Sequence, residues 1–517
     1  MKYPALKILS LLIASHTLSA DVTLPHLFSD HMVLQRNLAD PVWGKADPGE
    51  TVSVTIAGQK HETVADADGK WGVTLDPMPA GGPLQMIIKG NNTIELENIL
   101  VGEVWVCSGQ SNMGFAVKST YNNEVEIASA NFPEIRLLSL PRKGTQEPQD
   151  DFEADWQICS PATVGGFSAV GYFFGRRIHE TLGVPVGLID NAWGGSAAEA
   201  WAPRELLEQH EQYADYISQW DKRAFEYTDE IHAEKMAEYK VAREEYDKNG
   251  GKRPRWPQDP RYGQHRPGNI YNGGVLPLVG YGIQGMIWYQ GETNAGRPDN
   301  YEHLMGLVIG NMREQWGQGD FPFYWVQLAD YGSESAEPTD SKWAHLREAQ
   351  TKTMESVPNS GQAVIIDLGE GRDIHPRNKQ TVADRLVRWP LAKEYGYTMD
   401  YRSPEFASME TVDIASTEED GAETSTTGKG VLLSFDYNSS DGLIPFDTNE
   451  VKGFAIAGED QQFHWAEAEI IGKNQVRVWS DAVAEPVAVR YAWATNPVAN
   501  LYDKNGLPVT PFRTDDW

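Results

Sequence analysis

At 517 residues the chain is too long for one ordinary hydrophobic core, so two or three domains are expected. Hydrophobic residues make up 40% and aromatic residues 10%, which excludes a disordered composition. With 44 Lys and Arg against 74 Asp and Glu, the formal net charge of -30 argues against nucleic acid, whose phosphates would be repelled.

Lys2 and Lys7 lead into an apolar run, Ile8 to Ala14, that ends in small residues at Ser19 and Ala20. This pattern predicts a secretory signal cut near Ala20-Asp21, and hence a periplasmic or secreted protein. No later segment reaches the roughly 18 apolar residues of a membrane helix, so no membrane span is expected. Residues 21 to about 100 read as a β-sandwich region: "TVSVTIAG" (Thr51 to Gly58) alternates apolar and polar residues, and "GKWGVTL" and "PLQMIIKG" follow between turn residues.

From about 101 to 400 the rhythm becomes apolar strand, loop, helix. Strands are predicted at Glu103 to Cys107, Val184 to Asp190, Ile283 to Tyr289, Phe321 to Leu328 and Ala363 to Leu368, with helices such as Ala169 to Thr181 and Tyr301 to Trp316 between them. That alternation predicts an α/β fold, a parallel sheet with helices on both faces. Within it, residues 204 to 268 have a different texture. Tyr213, Tyr216, Ile217, Trp220, Ala224, Tyr227 and Ile231, and then Tyr239, Ala242 and Tyr246, recur at helical spacing among charged residues. The stripe predicts a helical insertion packed on the surface, or a rim above a ligand site. Residues 401 to 517 turn β-rich again, and the acidic "STEEDGAETSTTGKG" (Ser416 to Gly430) reads as a solvated loop. Cys107 and Cys159 are either one disulfide or two buried thiols.

In an open parallel sheet, ligands bind beyond the carboxyl ends of the strands. Four polar segments follow predicted strands: "SGQSNM" with Ser111, "DNAWGGS" with Gly194, Gly195 and Ser196, "WYQGETN" with Gln290, Glu292 and Asn294, and "GEGRDIHPRNKQ" with Asp373 and His375. A serine hydroxyl needs a base before it attacks, and His375 is the obvious one, with a carboxylate to orient its ring. Glycine amides and a side-chain amide suit the oxyanion of an acyl-transfer intermediate. Singly, each residue has a plainer use: Ser111 as a cap or turn serine, the glycines in tight turns, His375 on the surface before Pro376. Together they point to a nucleophilic hydrolase. The α/β-hydrolase elbow Gly-x-Ser-x-Gly is absent, because Met113 occupies its last position.

"VCSGQSNM", "WGGS", "WYQGETNAGR" and "DIHPRNKQTVADRL", together with "LFSDHMVLQR", "FSAVGYFFGR" and "NLYDKNGLPVTPFRTD", closely resemble the blocks of the SGNH hydrolases, and within them the sialate O-acetylesterase-like carbohydrate esterases. The resemblance covers nearly the whole chain after residue 20. It implies a flavodoxin-like SGNH domain over 101 to 400 and removal of acetyl groups from O-acetylated sugars without metal or organic cofactor. Ser111 matches the nucleophile and, through its own N–H, an oxyanion donor. Gly194 matches the second donor, with Gly195 as fallback. Gln290 stands where many of these enzymes have an asparagine and is the candidate third donor. His375 matches the base. The family's usual acid lies three residues before the histidine, where this chain has Arg372. Asp373, two residues before it, is preferred, and Glu292 of the "QGE" block is the other candidate. Trp193, Trp288 and Tyr289 beside the blocks are candidates to stack on sugar, with burial in the core as their plainer use. Family naming points to O-acetyl sialic acid, and similar bacterial enzymes to xylan or xyloglucan; the acidic chain leans toward a neutral polysaccharide. A carbohydrate-binding protein, a glycosidase with two facing carboxylates and a lipase are the competing classes.

Overall fold

The computed structural model describes residues 21–414, 428–436 and 442–517. The signal-peptide segment and most of the acidic 416–430 stretch lie outside them. Six parallel strands form the central sheet: β1 (Thr93–Gly109), β2 (Phe132–Ser139), β3 (Val186–Ala192), β4 (Gly285–Tyr289), β5 (Phe323–Val326) and β6 (Ser360–Ala363), in the spatial order β2-β3-β1-β4-β5-β6. The short strand Gln157–Cys159 adds an antiparallel edge to β2. The chain runs from β1 outward to β2, back through β3, and then to the other side. This leaves β3, β1 and β4 side by side where the winding reverses, the place where open α/β sheets form their crevice.

Alternate residues of each strand enter different cores, as a pleated strand requires. Val104 and Val106 of β1, Met286 and Trp288 of β4 and Phe323 and Trp325 of β5 pack on the face covered by helices Tyr301–Trp316 and Lys342–Ser356. Trp105 and Cys107, Ile287 and Tyr289, and Tyr324 and Val326 pack on the face covered by Ala169–Leu182 and Lys379–Lys393. Both faces are therefore apolar, which is why these strands read as continuous hydrophobic runs. Cys107 and Cys159 are free buried thiols in the second core, so of the two alternatives it is the thiols that are found.

The N-terminal β region is not separated from this sheet at residue 100. The first half of β1 pairs antiparallel with Gly81–Lys89, which pairs in turn with Thr51–Ile56; the second half is the central strand of the parallel sheet. One strand of 17 residues serves both. In the insertion, helix Ala214–Phe225 buries Ile217 and Ala224, as its stripe predicted. Helix Asp229–Asn249 buries no residue at all; Tyr239 and Tyr246 are only half-covered. Beside a two-stranded ladder of Leu443–Pro445 and Leu501–Asp503, the described C-terminal chain forms two four-stranded antiparallel sheets. They share a core: Val431, Leu433, Val476 and Val478 of one face Phe454, Ile456, Val489 and Tyr491 of the other. Among the described residues, no helix is long and apolar enough to cross a membrane.

Arg347 ties this sandwich to the parallel-sheet unit. Its side chain is fully buried and donates to the carbonyls of Leu328 and Ala329 after β5 and of Ala494 and Thr495 in the sandwich, at 2.7–3.1 Å. Replacing it by leucine strands the carbonyls of Leu328 and Ala494 in a dry interior, each worth about 1–3 kcal/mol when left unpaired, while Ala329 and Thr495 keep the Trp343 indole and the Tyr331 N–H. Arg347→Leu is expected to lower unfolding stability by about 3 kcal/mol or more, or to split the calorimetric transition into two. A single unshifted transition would show that this guanidinium does not couple the units.

Candidate active site

The three central strands end level with one another. Gly109, the last residue of β1, pairs with Ala192 on one side and Tyr289 on the other. Its φ is +133°, and a Cβ there would lie 2.3 Å from the Tyr289 carbonyl oxygen, so only glycine permits the approach. The turns that follow are laced together: Gln110 N–H donates to the Tyr289 carbonyl and Trp193 N–H to the Gly109 carbonyl, both at 2.9 Å. Residues 110–114 close a tight turn, with Met113 and Gly114 N–H on the Gln110 carbonyl. Ser168, which caps the Ala169–Leu182 helix, donates to the Met113 carbonyl at 2.6 Å and holds that turn from behind.

Ser111 stands at the mouth of the turn, half-buried. Its Oγ is 2.7 Å from His375 Nε2, so the hydroxyl donates to the ring. His375 Nδ1 is 3.3 Å from Asp373 Oδ1, the same oxygen that accepts the His375 backbone N–H at 3.0 Å. The loop bends back on itself, which is how a spacing of two brings the carboxylate to the ring. Arg377 pairs with Glu370 and lies 3.8 Å from Asp373. Phe115 stacks on the imidazole, rings 6.2 Å apart and 18° from parallel.

Gly194 faces the same hydroxyl: a Cβ on it would come within 3.3 Å of Ser111 Cβ, so the two backbones nearly touch. Among the described residues no protein acceptor takes the N–H of Ser111 or of Gly194. Two donors left unpaired beside a serine hydroxyl are what the oxyanion of an acyl-transfer intermediate would need.

Gln290 does not join them. It is fully buried; its Nε2 donates to the Ser196 carbonyl and to Asn294 Oδ1, and its Oε1 accepts the Tyr301 hydroxyl. Both amide hydrogens are spent inside the scaffold, so none reaches Ser111. Trp288 and Tyr289 are 1% and 0% exposed, on opposite faces of β4, and belong to the core rather than to a sugar platform. A strand covered on both faces leaves no room for ligand at those positions. Trp193 alone of the three aromatics is partly exposed; its ring lies near Gly144, beside Tyr262 of the insertion.

Glu292 reaches no ring nitrogen of His375. Its Oε1 accepts Asn112 Nδ2 at 2.5 Å, and its Oε2 is buried without a partner. Asn112 was not singled out in the sequence, although it adjoins Ser111. Its Nδ2 also donates to the carbonyl of Ile374, the residue before the histidine, and its Oδ1 accepts Lys379 Nζ at 2.5 Å. Lys379 is fully buried between the rings of Tyr289 and Phe115. Burial pushes its amine down to about 7, against the opposing pull of the Glu292, Glu370 and Asp373 charges. Burial raises the Glu292 carboxyl, against the Asn112 amide and the Lys379 charge. One asparagine thus pins the nucleophile turn, the histidine loop, the third block and the start of the last helix.

A family profile described as "Carbohydrate esterase, sialic acid-specific acetylesterase" matches residues 101–233 and 275–382, which hold the four blocks. The mouse sialate O-acetylesterase (Mus musculus) is 30% identical, aligned over 98% of this chain and 97% of its own length. The human enzyme (Homo sapiens) is also 30% identical, over 94% and 91%. The crystal structure of a carbohydrate acetylesterase from Xanthomonas citri is 35% identical, covers 96% of this chain and all of its own, and superposes with a TM-score of 0.79. The chain belongs to this family of SGNH-type carbohydrate esterases, and it is an esterase.

Proposed function

We propose that the protein is an exported serine acetylesterase that removes acetyl groups from sugar hydroxyls, with Ser111 as nucleophile, His375 as general base and Asp373 as its acid. The observation that carries this reading is the 2.7 Å contact of Ser111 Oγ with His375 Nε2, at the level where three parallel strands end and beside the backbone of Gly194.

His375 takes the hydroxyl proton as Ser111 Oγ bonds to the acetyl carbon. The carbonyl oxygen becomes an oxyanion held by the Ser111 and Gly194 N–H groups. Asp373 stabilises the imidazolium through Nδ1. Collapse of the intermediate breaks the bond to the sugar oxygen, which leaves with the proton from Nε2. Water then loses a proton to His375, attacks the acetyl-serine and releases acetate. Glu292 and Lys379 are positioning residues, acting through Asn112.

The sugar is an O-acetylated carbohydrate, read as a neutral polysaccharide from the acidity of the chain. A second reading, O-acetyl sialate, is favoured by the names of the mammalian relatives. Arg142, an exposed cation near Gly114 of the serine turn, is the group that would take its carboxylate.

Acetate release by the wild type from acetylated xylan, acetylated xyloglucan and O-acetylated sialic acid, with Ser111→Ala beside it, tests the reaction and the sugar together. Release that persists in the folded Ser111→Ala protein would exclude the serine mechanism. Asp373→Asn should cut kcat by about 10⁴-fold, as in other serine triads, and Glu292→Gln by much less. The reverse order would make Glu292 the acid. Asn112→Ala should lower kcat by about 10- to 100-fold with little change in KM, since a displacement of about 1 Å at the reacting groups is enough for that loss. Unchanged kcat would show that the Ile374 contact does not position His375.

A further inference from the structure

The C-terminal sandwich meets the loop after β5 in two adjoining cavities of about 380 and 350 Å³, which share Gly453, Trp465 and Trp493. Trp493 forms a buried floor, its indole N–H donating to Asp340 Oδ1 at 3.1 Å. Trp465 is 44% exposed, an unusual place for so much apolar surface. It is not loose: its N–H donates to the Ala336 carbonyl at 2.7 Å, so a flat aromatic face is held open toward water at a fixed angle. Gln461 and Gln462 bring side-chain amides to the same rim.

An exposed aromatic face beside amide groups matches one ligand chemistry well, a sugar ring. The C–H face of a pyranose with equatorial substituents packs on an indole, and its hydroxyls pair with amides at the edge. The charges in the cavities point to a neutral sugar, because each is already paired. Arg490 is held by Asp515, Asp340 by His345, and Lys452 lies 3.4 Å from Glu450. No free cation is left there to take a carboxylated sugar.

The cavities are also tied to the loop of the catalytic histidine. Asn496 of the cavity wall donates to the Gly332 carbonyl at 2.7 Å, and Gly332 N–H donates to the carbonyl of Gly371, two residues before Asp373. Arg347 clamps the intervening Ala494 and Thr495. A ligand in the cavities is therefore held at a fixed place relative to Ser111, and only a chain of sugars, not a single one, would gain from both.

We propose that the Trp465–Trp493 cleft is a second sugar site, which binds an unacetylated stretch of a neutral, equatorially substituted pyranose polymer while another stretch presents its acetyl ester to Ser111. This rests on the acetylesterase reading and names its substrate as a polymer. Affinity electrophoresis in gels containing deacetylated xylan or deacetylated xyloglucan tests it, using the Ser111→Ala protein with and without Trp465→Ala. Retardation by at least one polymer, weakened about tenfold by Trp465→Ala, is expected from the loss of one stacking contact. In the Ser111 enzyme, Trp465→Ala should raise KM for the acetylated polymer by a similar factor, with kcat and the turnover of a small chromogenic acetate unchanged. Gln462→Ala, at an exposed position, should weaken retardation without altering the melting temperature. No retardation by either polymer, or retardation indifferent to both substitutions, would overturn the proposal. So would loss of chromogenic turnover in Trp465→Ala, which would make the residue structural. Chromogenic turnover that survives in Ser111→Ala would instead sink the serine reading and leave the binding result standing.

Discussion

The site depends on a register. β1 is hydrogen-bonded on both sides, and its last residue, Gly109, is level with the last residues of β3 and β4. Three chains therefore leave the sheet at one height, and their turns have to share the same small volume. Glycine at 109 lets β1 close on the Tyr289 carbonyl, and glycine at 194 lets the second turn lie against Ser111. A Cβ at 109 would push its turn outward and carry the serine with it, and one at 194 would crowd Ser111 by a few tenths of an ångström. The sheet thus fixes Ser111 and the N–H groups of Ser111 and Gly194 as backbone geometry, the least deformable material a fold offers.

The histidine has no such support, because it arrives on a loop far along the chain. What fixes it is a polar core. Asn112 links the Ser111 turn to the Ile374 carbonyl, and two ionisable groups, Glu292 and Lys379, are buried to hold that amide from both ends. Burying such groups costs more than packing apolar side chains would, and removing one leaves a side of the Asn112 amide without its partner. In an apolar core a loop can slide; here a slide of the Ile374 carbonyl breaks a bond to an amide that has no water to turn to. The fold gives up stability at this point for a fixed distance between Ser111 and His375.

Much of this was legible in the sequence, and the reason is local. Helix Tyr301–Trp316 and the start of Ala169–Leu182 fall where the periodicity put them, and four of the five strands overlap their predicted ranges by four or five residues. The fifth, drawn at Ala363 to Leu368, is the last residue of an actual strand, Ser360–Ala363, plus the chain that follows it. Val364 and Ile366 are apolar because they pack on the C-terminal sandwich, not because they pair in a sheet. Trp288 and Tyr289 take their plainer use in the core, and Gln290 misled for a related reason. Their residue types suit a sugar or an oxyanion, but a strand buried on both faces decides their use, and sequence spacing does not reveal the second face. The outward helix Asp229–Asn249 is the opposite error: its stripe has the period of a packed face, yet the fold gives it little to pack on.

The contrast between the two carboxylates shows why site type and site place are separate questions. Both Asp373 and Glu292 stand near His375, and a list of residue types ranks the buried one highly, because a dry carboxylate interacts strongly with a cation. Geometry favours Asp373, the residue preferred from the sequence. Asp373 is half-exposed on the same loop as the ring and reaches Nδ1 through a bend that also satisfies the His375 backbone N–H. Glu292 is committed to Asn112, and the charge facing it is Lys379. Asp373 is the carboxylate in contact with the ring, while Glu292 is hydrogen-bonded to Asn112, which holds the Ile374 carbonyl beside it. The division follows from which oxygen has a free lone pair within reach of the ring, and neither composition nor spacing carries that information.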